Sequence, residues 1–505
     1  CSPVNEVVGL KPLGTITVCF PYVDEVTRDT LELMMNEAEN YADFTERLCD
    51  RVISEPSSPV LEYLAFSFAF WIENYNPIDR LEAAGKVSDL AKPLLLHVKI
   101  DRGTNISWND MKASLRKALD MSSNDWIATH LYLGWRIATQ YHFPEADVEI
   151  WPLDKISAAV DENDELRYFK SYLFWIEAKN LQKEGKRKEA ITLLRQALII
   201  ARKFDDRVYV ARILDILASF TKQTDLRQAV DMLNTARELS EELGYLGEIG
   251  LVQHHMGHIK GMRGEFDSAI EYQHEYKKHL DSLGSSYHLE NSFIALYYNL
   301  SGNGERALDF SEKSIPPDEA PNRLLAYARA QQAWALINLE RYEEAKEVID
   351  ICHKLALKSG DSGQMIWYYI AEGLLDKAEK RFEDGLVNFQ KVLDFDAEDP
   401  TPVIQNICLL NLTEIEVDML TETALQMNRD SSGNWMTKLE EHVQKNDFPG
   451  IAAQSRILNA KLRYRQGRYD DVRKILKEVQ ETAETPSMRY LKDMMISKFP
   501  DVIVT

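Results

Sequence analysis

Ala178-Lys-Asn-Leu-Gln-Lys-Glu-Gly185-Lys-Arg-Lys-Glu-Ala190-Ile-Thr-Leu-Leu-Arg-Gln-Ala197 is the stretch that decides the fold. Its small residues stand at intervals of 7, 5 and 7. Gly185 sits between two amphipathic helical patterns, where a turn benefits from a residue free to adopt a left-handed conformation. The skeleton returns at Gly257, Gly264, Ala269 and Tyr276, and at Ala295, Gly302, Ala307 and Ser314. It recurs at Ala333, Glu340, Ala345 and Cys352, at Gly373, Lys380, Gly385 and Val392, and downstream at Ala460, Gly467, Val472 and Val479. Ala218, Asp225, Ala229 and Ala236 fit if their turn is one residue shorter. From Ala178 to Gly373 the first positions are 40, 39, 38, 38 and 40 residues apart, so the stretch is a structural repeat and not a site.

Small side chains let paired helices approach closely where they cross, and large ones such as Leu194, Leu198, Phe266, Tyr272, Tyr342 and Phe389 fill the gaps between. One such pair cannot bury its apolar face alone, so neighbours stack. The pattern resembles the tetratricopeptide repeat family, whose period is about 34 residues. The longer period here is similar to that of kinesin light chains, the sensor region of maltose-type transcription activators and bacterial peptide-sensing regulators. The resemblance covers residues 164–400 and 451–482. It implies an all-α fold: a right-handed α-solenoid of stacked antiparallel helix pairs whose first helices line a concave groove.

The rest of the chain is arranged around that array. Residues 1–60 form an N-terminal segment, with a β-branched run from Thr15 to Phe20 that suits a short strand and a helical pattern from Asp24 to Ile53. Ser54-Glu-Pro-Ser-Ser-Pro59 breaks that pattern. Residues 61–163 read as an irregular helical region with decayed repeats, in which Ile72, Ala84 and Ala91 keep a 12-and-7 spacing and Trp126 to Tyr141 is another apolar helix. The array proper spans 164–400. Residues 401–450 read as a divergent repeat with an insertion, helical from Ile404 to Leu420 and from Trp435 to Val443. Residues 451–505 hold the final repeat and a capping helix that Pro500 ends.

Composition narrows the function. A chain of 505 residues suits an array that grows in one dimension. The net charge of −22 disfavours nucleic acid and anionic lipid and favours basic partners. Cys1, Cys19, Cys49, Cys352 and Cys408 form no Cys-x-x-Cys, so neither a zinc site nor a disulfide framework is expected, and a reducing, cytoplasmic setting is. A leading Cys1 also suits a lipid-anchored extracytoplasmic protein, which stands as an alternative. The longest apolar run, Leu64 to Ile72, falls far short of the roughly 20 residues of a membrane helix. Phosphate-loop, dinucleotide-binding and nucleophile-elbow motifs are absent, so no catalytic residue and no cofactor is expected.

Two clusters stand out from that background. Six histidines (His254, His255, His258, His274, His279, His288) lie within 35 residues, and His254 and His258 share a helix face; solvated or groove-lining histidines are preferred over a metal site. Eight acids and no Lys or Arg lie between Val392 and Asn428, whereas eight bases lie between Arg456 and Lys477. These blocks suit internal pairing, oligomerisation or simply solvated helix faces.

The resemblance assigns groove-facing positions residue by residue. They are Tyr172, Trp175, Lys179 and Lys183, then Arg212, Asp215, Ser219 and Lys222, then His254, His258 and Met262. Next come Ser292, Leu296, Asn299 and Leu300, then Tyr327, Trp334 and Asn338, then Trp367 and Lys377, with Lys461 and Arg465 in the final repeat. Such a mixture suits an extended or helical peptide, while the competing reading packs the aromatics against the neighbouring repeat. The Lys and Asn pattern of the chaperone-binding carboxylate clamp is not reproduced, because Trp175, Asp215, His254, Ser292, Ala330 and Ile370 stand at one of its positions. The expected function is a non-enzymatic scaffold or adaptor that holds a protein or peptide. The alternative is the sensor region of a larger signalling or transcription-regulatory protein.

Overall fold

A computed structural model describes residues 25–499, apart from 73, 102–103, 105, 123–127, 130, 133–156, 159, 162–168, 184–185, 223–224, 283–289, 316–324, 360–361, 396–400 and 421–433. Among the described residues every regular element is helical. The strand expected at 15–20 and most of the helix expected at Trp126–Tyr141 lie outside them. Two compact units divide the chain: Cys1–His255 with Lys278–Tyr287, and Met256–Lys277 with His288–Thr505.

The first unit opens with α1 (Glu25–Glu37), α2 (Tyr41–Ser54), α3 (Pro59–Trp71), α4 (Asn76–Ala83), α5 (Lys92–Asp101) and α6 (Trp108–Met121). Asn40, Ser58 and Ser107 start α2, α3 and α6 by accepting hydrogen bonds from the amides of Asp43, Leu61 and Asp110. The break expected at Ser54–Pro59 separates α2 from α3. Ile72 and Ala84 are the C-caps of α3 and α4, and Ala91 precedes α5, so these three residues stand at helix ends. Regular pairs follow in α7 (Lys170–Lys183) with α8 (Arg187–Lys203) and α9 (Arg207–Thr221) with α10 (Leu226–Leu243). The chain passes between the units inside α11 (Leu246–Met262) and α12 (Phe266–Ser282).

The second unit continues the pairing through α13 (Glu290–Leu300) with α14 (Gly304–Lys313), α15 (Leu325–Asn338) with α16 (Tyr342–Ser359), and α17 (Ser362–Ala378) with α18 (Phe382–Phe395). Then come α19 (Pro402–Met419), α20 (Asn434–Lys445), α21 (Pro449–Arg465), α22 (Tyr469–Ala483) and α23 (Tyr490–Lys498). The divergent repeat expected after residue 401 is therefore helical at α19 and α20, and α23 ends just before Pro500.

The repeat skeleton is the core of these pairs. Ala178, Ala190, Ala197, Ala218, Ala229, Ala236, Ala269, Ala295, Ala307, Ala333, Ala345, Ala460, Val472 and Val479 are all fully buried. At five turn positions the backbone is left-handed: φ is +74° at Gly264, +82° at Gly302 and +74° at Gly467, but also +59° at Glu340 and +63° at Lys380, whereas Asp225, in the shortened turn, has φ −147° and caps the following helix. Gly185 lies outside the described residues.

Within the second unit the row of pairs closes on itself. The Gly450 amide donates to the Arg263 carbonyl at 2.9 Å. Tyr490 Oη donates to the Gly264 carbonyl at 2.8 Å, and Asn406 Nδ2 donates to the Met262 carbonyl at 2.9 Å. At this seam a Cβ on Gly450 would stand 2.1 Å from the Gly264 oxygen, so only glycine permits the approach.

Candidate functional site

On the first unit, three first helices bring polar side chains to adjoining faces. Trp175 and Lys179 are one turn apart on α7. Arg212, Asp215, Ser219 and Lys222 step along one face of α9, and Glu248 and His255 are two turns apart on α11. Asp215 is 1% exposed, and its Oδ1 lies 2.6 Å from His255 Nδ1. Arg212 Nη1 donates to Glu248 Oε2 at 2.9 Å. Lys179 Nζ sits 5.7 Å from the centre of the Phe220 ring. Aromatic packing supports the floor, with Tyr172 stacked on Tyr209 at 3.9 Å and Trp175 edge-on to Tyr209 at 6.4 Å.

The electrostatics follow from burial. Loss of water pushes the Asp215 carboxyl up to about 7, although Arg212, Lys222 and Lys179 pull it down. Burial drives the Lys222 ammonium down to about 8, opposed by Asp215 and reinforced by Arg187 and Lys179. His255 is held well below its ordinary value by burial and then by Lys222, Lys179 and Arg212, so its imidazole is neutral near pH 7. Among the described residues neither the Lys179 nor the Lys222 ammonium has a hydrogen-bond acceptor or ion-pair partner. The buried Trp175 Nε1 also has none, and that residue is 5% exposed. His254 is half-buried with its ring 5.5 Å from that of His255. The Lys183 side chain lies outside the described residues.

On the second unit the corresponding positions are engaged by their neighbours. Tyr327 is 3% exposed and meets Trp367 ring to ring at 4.8 Å. Trp334 is 6% exposed, and Asn299 is 3% exposed with its amide donating to the Gln331 carbonyl at 2.9 Å. Asn338 Nδ2 donates in turn to the Asn299 carbonyl at 3.3 Å. Lys377 reaches Glu414 at 3.0 Å, and Lys461 reaches Glu414 at 3.2 Å and Asp418 at 2.8 Å. Lys498 joins the same carboxylate. Burial alone would raise Glu414, but these three ammoniums hold it well below the usual carboxylate range. Arg465 donates to the Val417 and Leu420 carbonyls and so caps the end of α19. The acidic and basic blocks thus meet within the unit through Lys461.

The histidines find separate partners. His258 Nδ1 lies 2.8 Å from Tyr297 Oη, His274 Nε2 lies 3.4 Å from Tyr298 Oη, and His279 hydrogen-bonds the Leu246 carbonyl. Among the described residues no group of three or more His, Cys, Asp or Glu side chains is placed to hold a metal ion. No described helix is long and apolar enough to cross a membrane.

Asp215 stands among the groove-facing positions expected from the sequence, whereas His255 does not. A usable signal lies in the period itself. Asp215 and His255 are 40 residues apart, Asn299 and Asn338 are 39 apart, and Tyr297 and His258 are 39 apart. Polar residues one period apart on successive first helices become hydrogen-bonded neighbours.

No protein-family profile matches the chain, and no curated protein matches it in sequence. Among solved structures it is similar to a Rap protein complexed with competence and sporulation factor, at 12% identity and a TM-score of 0.43 over 67% of this chain and 99% of that one. It is also similar to yeast Tom70, at 11% identity and a TM-score of 0.33 over 94% of this chain and 95% of that one. A third similar structure is a signal-transduction ATPase with a tetratricopeptide repeat sensor from Pyrococcus horikoshii, at 13% identity and a TM-score of 0.28 over 94% of this chain and 67% of that one. At such identities and scores the fold rests on the chain's own helices. Stacked helix pairs, buried small residues at their crossings and a left-handed turn at one fixed register position make this chain a tetratricopeptide-like α-solenoid.

Proposed function

We propose that the chain is a non-enzymatic binding scaffold that grips a protein or peptide segment along the first-helix faces of its first unit. Lys179, Arg212, Lys222 and His254 form the contact surface, with Trp175 buried beneath it. The observation that carries this reading is the pair of half-buried ammonium groups, Lys179 and Lys222, that have no hydrogen-bond or ion-pair partner among the described residues. A cation kept partly out of water without a partner costs free energy in the unbound protein. Lys377, Lys461 and Lys498 of the second unit are by contrast satisfied by Glu414. Removing their counterparts in the first unit should therefore cost binding and spare folding.

The test is capture of a displayed random-peptide library by the whole chain, with the Lys179→Met, Lys222→Met double variant alongside. The variant is expected to lose most captured sequences while keeping its melting temperature. Lys461→Ala should do the opposite, lowering the melting temperature and leaving capture intact. Equal capture by wild type and double variant would sink the assignment of this face.

A further inference from the structure

Apart from the groove positions, α16, α17 and α18 of the second unit carry a row of aromatic rings. His353 on α16 stacks face to face on Tyr368 of α17 at 4.2 Å, and Tyr368 meets Tyr369 at 5.0 Å. Tyr369 stacks in turn on Phe395 of α18 at 5.9 Å. Phe395 is 48% exposed, and the other three rings are half-buried. A cation already rests on this row, because Lys391 Nζ stands 4.9 Å from the centre of the Tyr369 ring. Val387, Lys391 and Phe395 follow one another at steps of four along one face of α18. Leu386, Val387, Lys391 and Trp435 help to line a hollow of about 450 Å³, and Val387 is 53% exposed. Lys391 therefore borders both the ring row and the hollow. Negative charge lies beside them: Glu372 is one turn from Tyr368 and Tyr369 on α17, and Asp350 is one turn from His353 on α16. Neither carboxylate has a hydrogen-bond or ion-pair partner among the described residues. Burial, then Asp376 and Asp350, push the Glu372 carboxyl above its ordinary value, against the pull of Arg381 and Lys391.

We propose that this row is a second docking surface, and that its occupant is a basic segment of a protein partner, which lays an arginine on the rings and an apolar side chain in the hollow. A guanidinium is planar and weakly hydrated, so it stacks on an aromatic face while its fork donates to a carboxylate, here that of Glu372. An ammonium brings the charge without the flat face. The net charge of −22 agrees in sign, since an acidic chain draws basic segments toward it. A segment held by the first unit meets the ammonium groups of Lys179 and Lys222 instead, so the two surfaces call for different chemistry.

The surface is tested with fluorescein-labelled nonapeptide pools that carry arginine, lysine or citrulline at the central position between randomised flanks. Each pool is titrated into the full chain and followed by anisotropy. Citrulline keeps the shape of arginine and removes its charge. The same titrations are run on Glu372→Gln, Phe395→Ala and Val387→Ser, with melting temperatures measured alongside. The arginine pool should bind about tenfold tighter than the citrulline pool and tighter than the lysine pool, and each variant should lose about fivefold. The Lys179→Met, Lys222→Met double variant should bind the arginine pool as the wild type does. Should Phe395→Ala lower the melting temperature, the isosteric Glu372→Gln decides alone. The proposal is overturned if citrulline binds as tightly as arginine, if Glu372→Gln leaves arginine binding unchanged, or if no pool binds.

Discussion

Glu340 and Lys380 show at the scale of one residue how a register position outranks residue preference. Both occupy the turn slot that Gly264, Gly302 and Gly467 fill elsewhere, and both accept a left-handed backbone that L-residues adopt at a cost of roughly 1–2 kcal/mol. Part of that strain returns on substitution, less the extra freedom glycine gives the unfolded chain. Lys380→Gly should therefore stabilise the protein by about 0.5–1 kcal/mol in urea denaturation, and a loss of stability would contradict the turn geometry. Asp215 makes a pH-dependent case. Its folded-state value is raised above the unfolded one, so the stability linked to its protonated form is full below about pH 4 and is lost as pH rises through about 7. Asp215→Asn removes that loss. Its stability relative to wild type should rise between pH 5 and pH 8, by on the order of 1–3 kcal/mol, and a pH-independent difference would reject the raised value. That Arg212, Asp215, Ser219 and Lys222 share one face of α9 was legible in the sequence, because helical spacing fixes which residues lie together. The Asp215–His255 contact was not, because it depends on how one helix is rotated against the next.

At the scale of the element, a pair is held together where small residues cross. Ala190 is fully buried against α7, and an Arg there has no exit to water. Ala190→Arg should destabilise the chain by a few kcal/mol, on the order of an overpacked or charged core substitution, and a near-neutral melting curve would mean that the register is misplaced. Lys461 illustrates the other side of element packing. It was a groove candidate from its position on α21, yet it ties α21 to α19 through Glu414 and Asp418. The sequence showed opposite charge blocks on these two helices but could not show whether they meet inside one molecule, because that pairing spans 47 residues across an irregular stretch.

At the scale of the whole chain, each unit is best considered by itself, and the second is defined by a seam. Tyr490 and Gly264 are 226 residues apart, and Asn406 and Met262 are 144 apart, yet both pairs hydrogen-bond. Gly450→Ala would force a methyl group into the Gly264 carbonyl, so a loss of about 1–3 kcal/mol is expected. Hydrogen exchange should report it in two places at once, at Met256–Lys277 and at Pro449–Arg465; faster exchange confined to the substituted helix would show that the seam does not couple them. The amino-acid sequence by itself determined the helix pairs, their period and the left-handed turn slot, because these arise from spacing over a few residues and from contacts between immediate neighbours. Only the tertiary structure decided which first-helix faces remain available. In the second unit, contacts one period or more apart consume Asn299, Tyr327, Lys377 and Lys461, whereas in the first unit packing leaves Lys179 and Lys222 half-buried with no hydrogen-bond or ion-pair partner among the described residues. Neither outcome is written in a local pattern, because each depends on which distant side chains the stack brings within hydrogen-bonding reach.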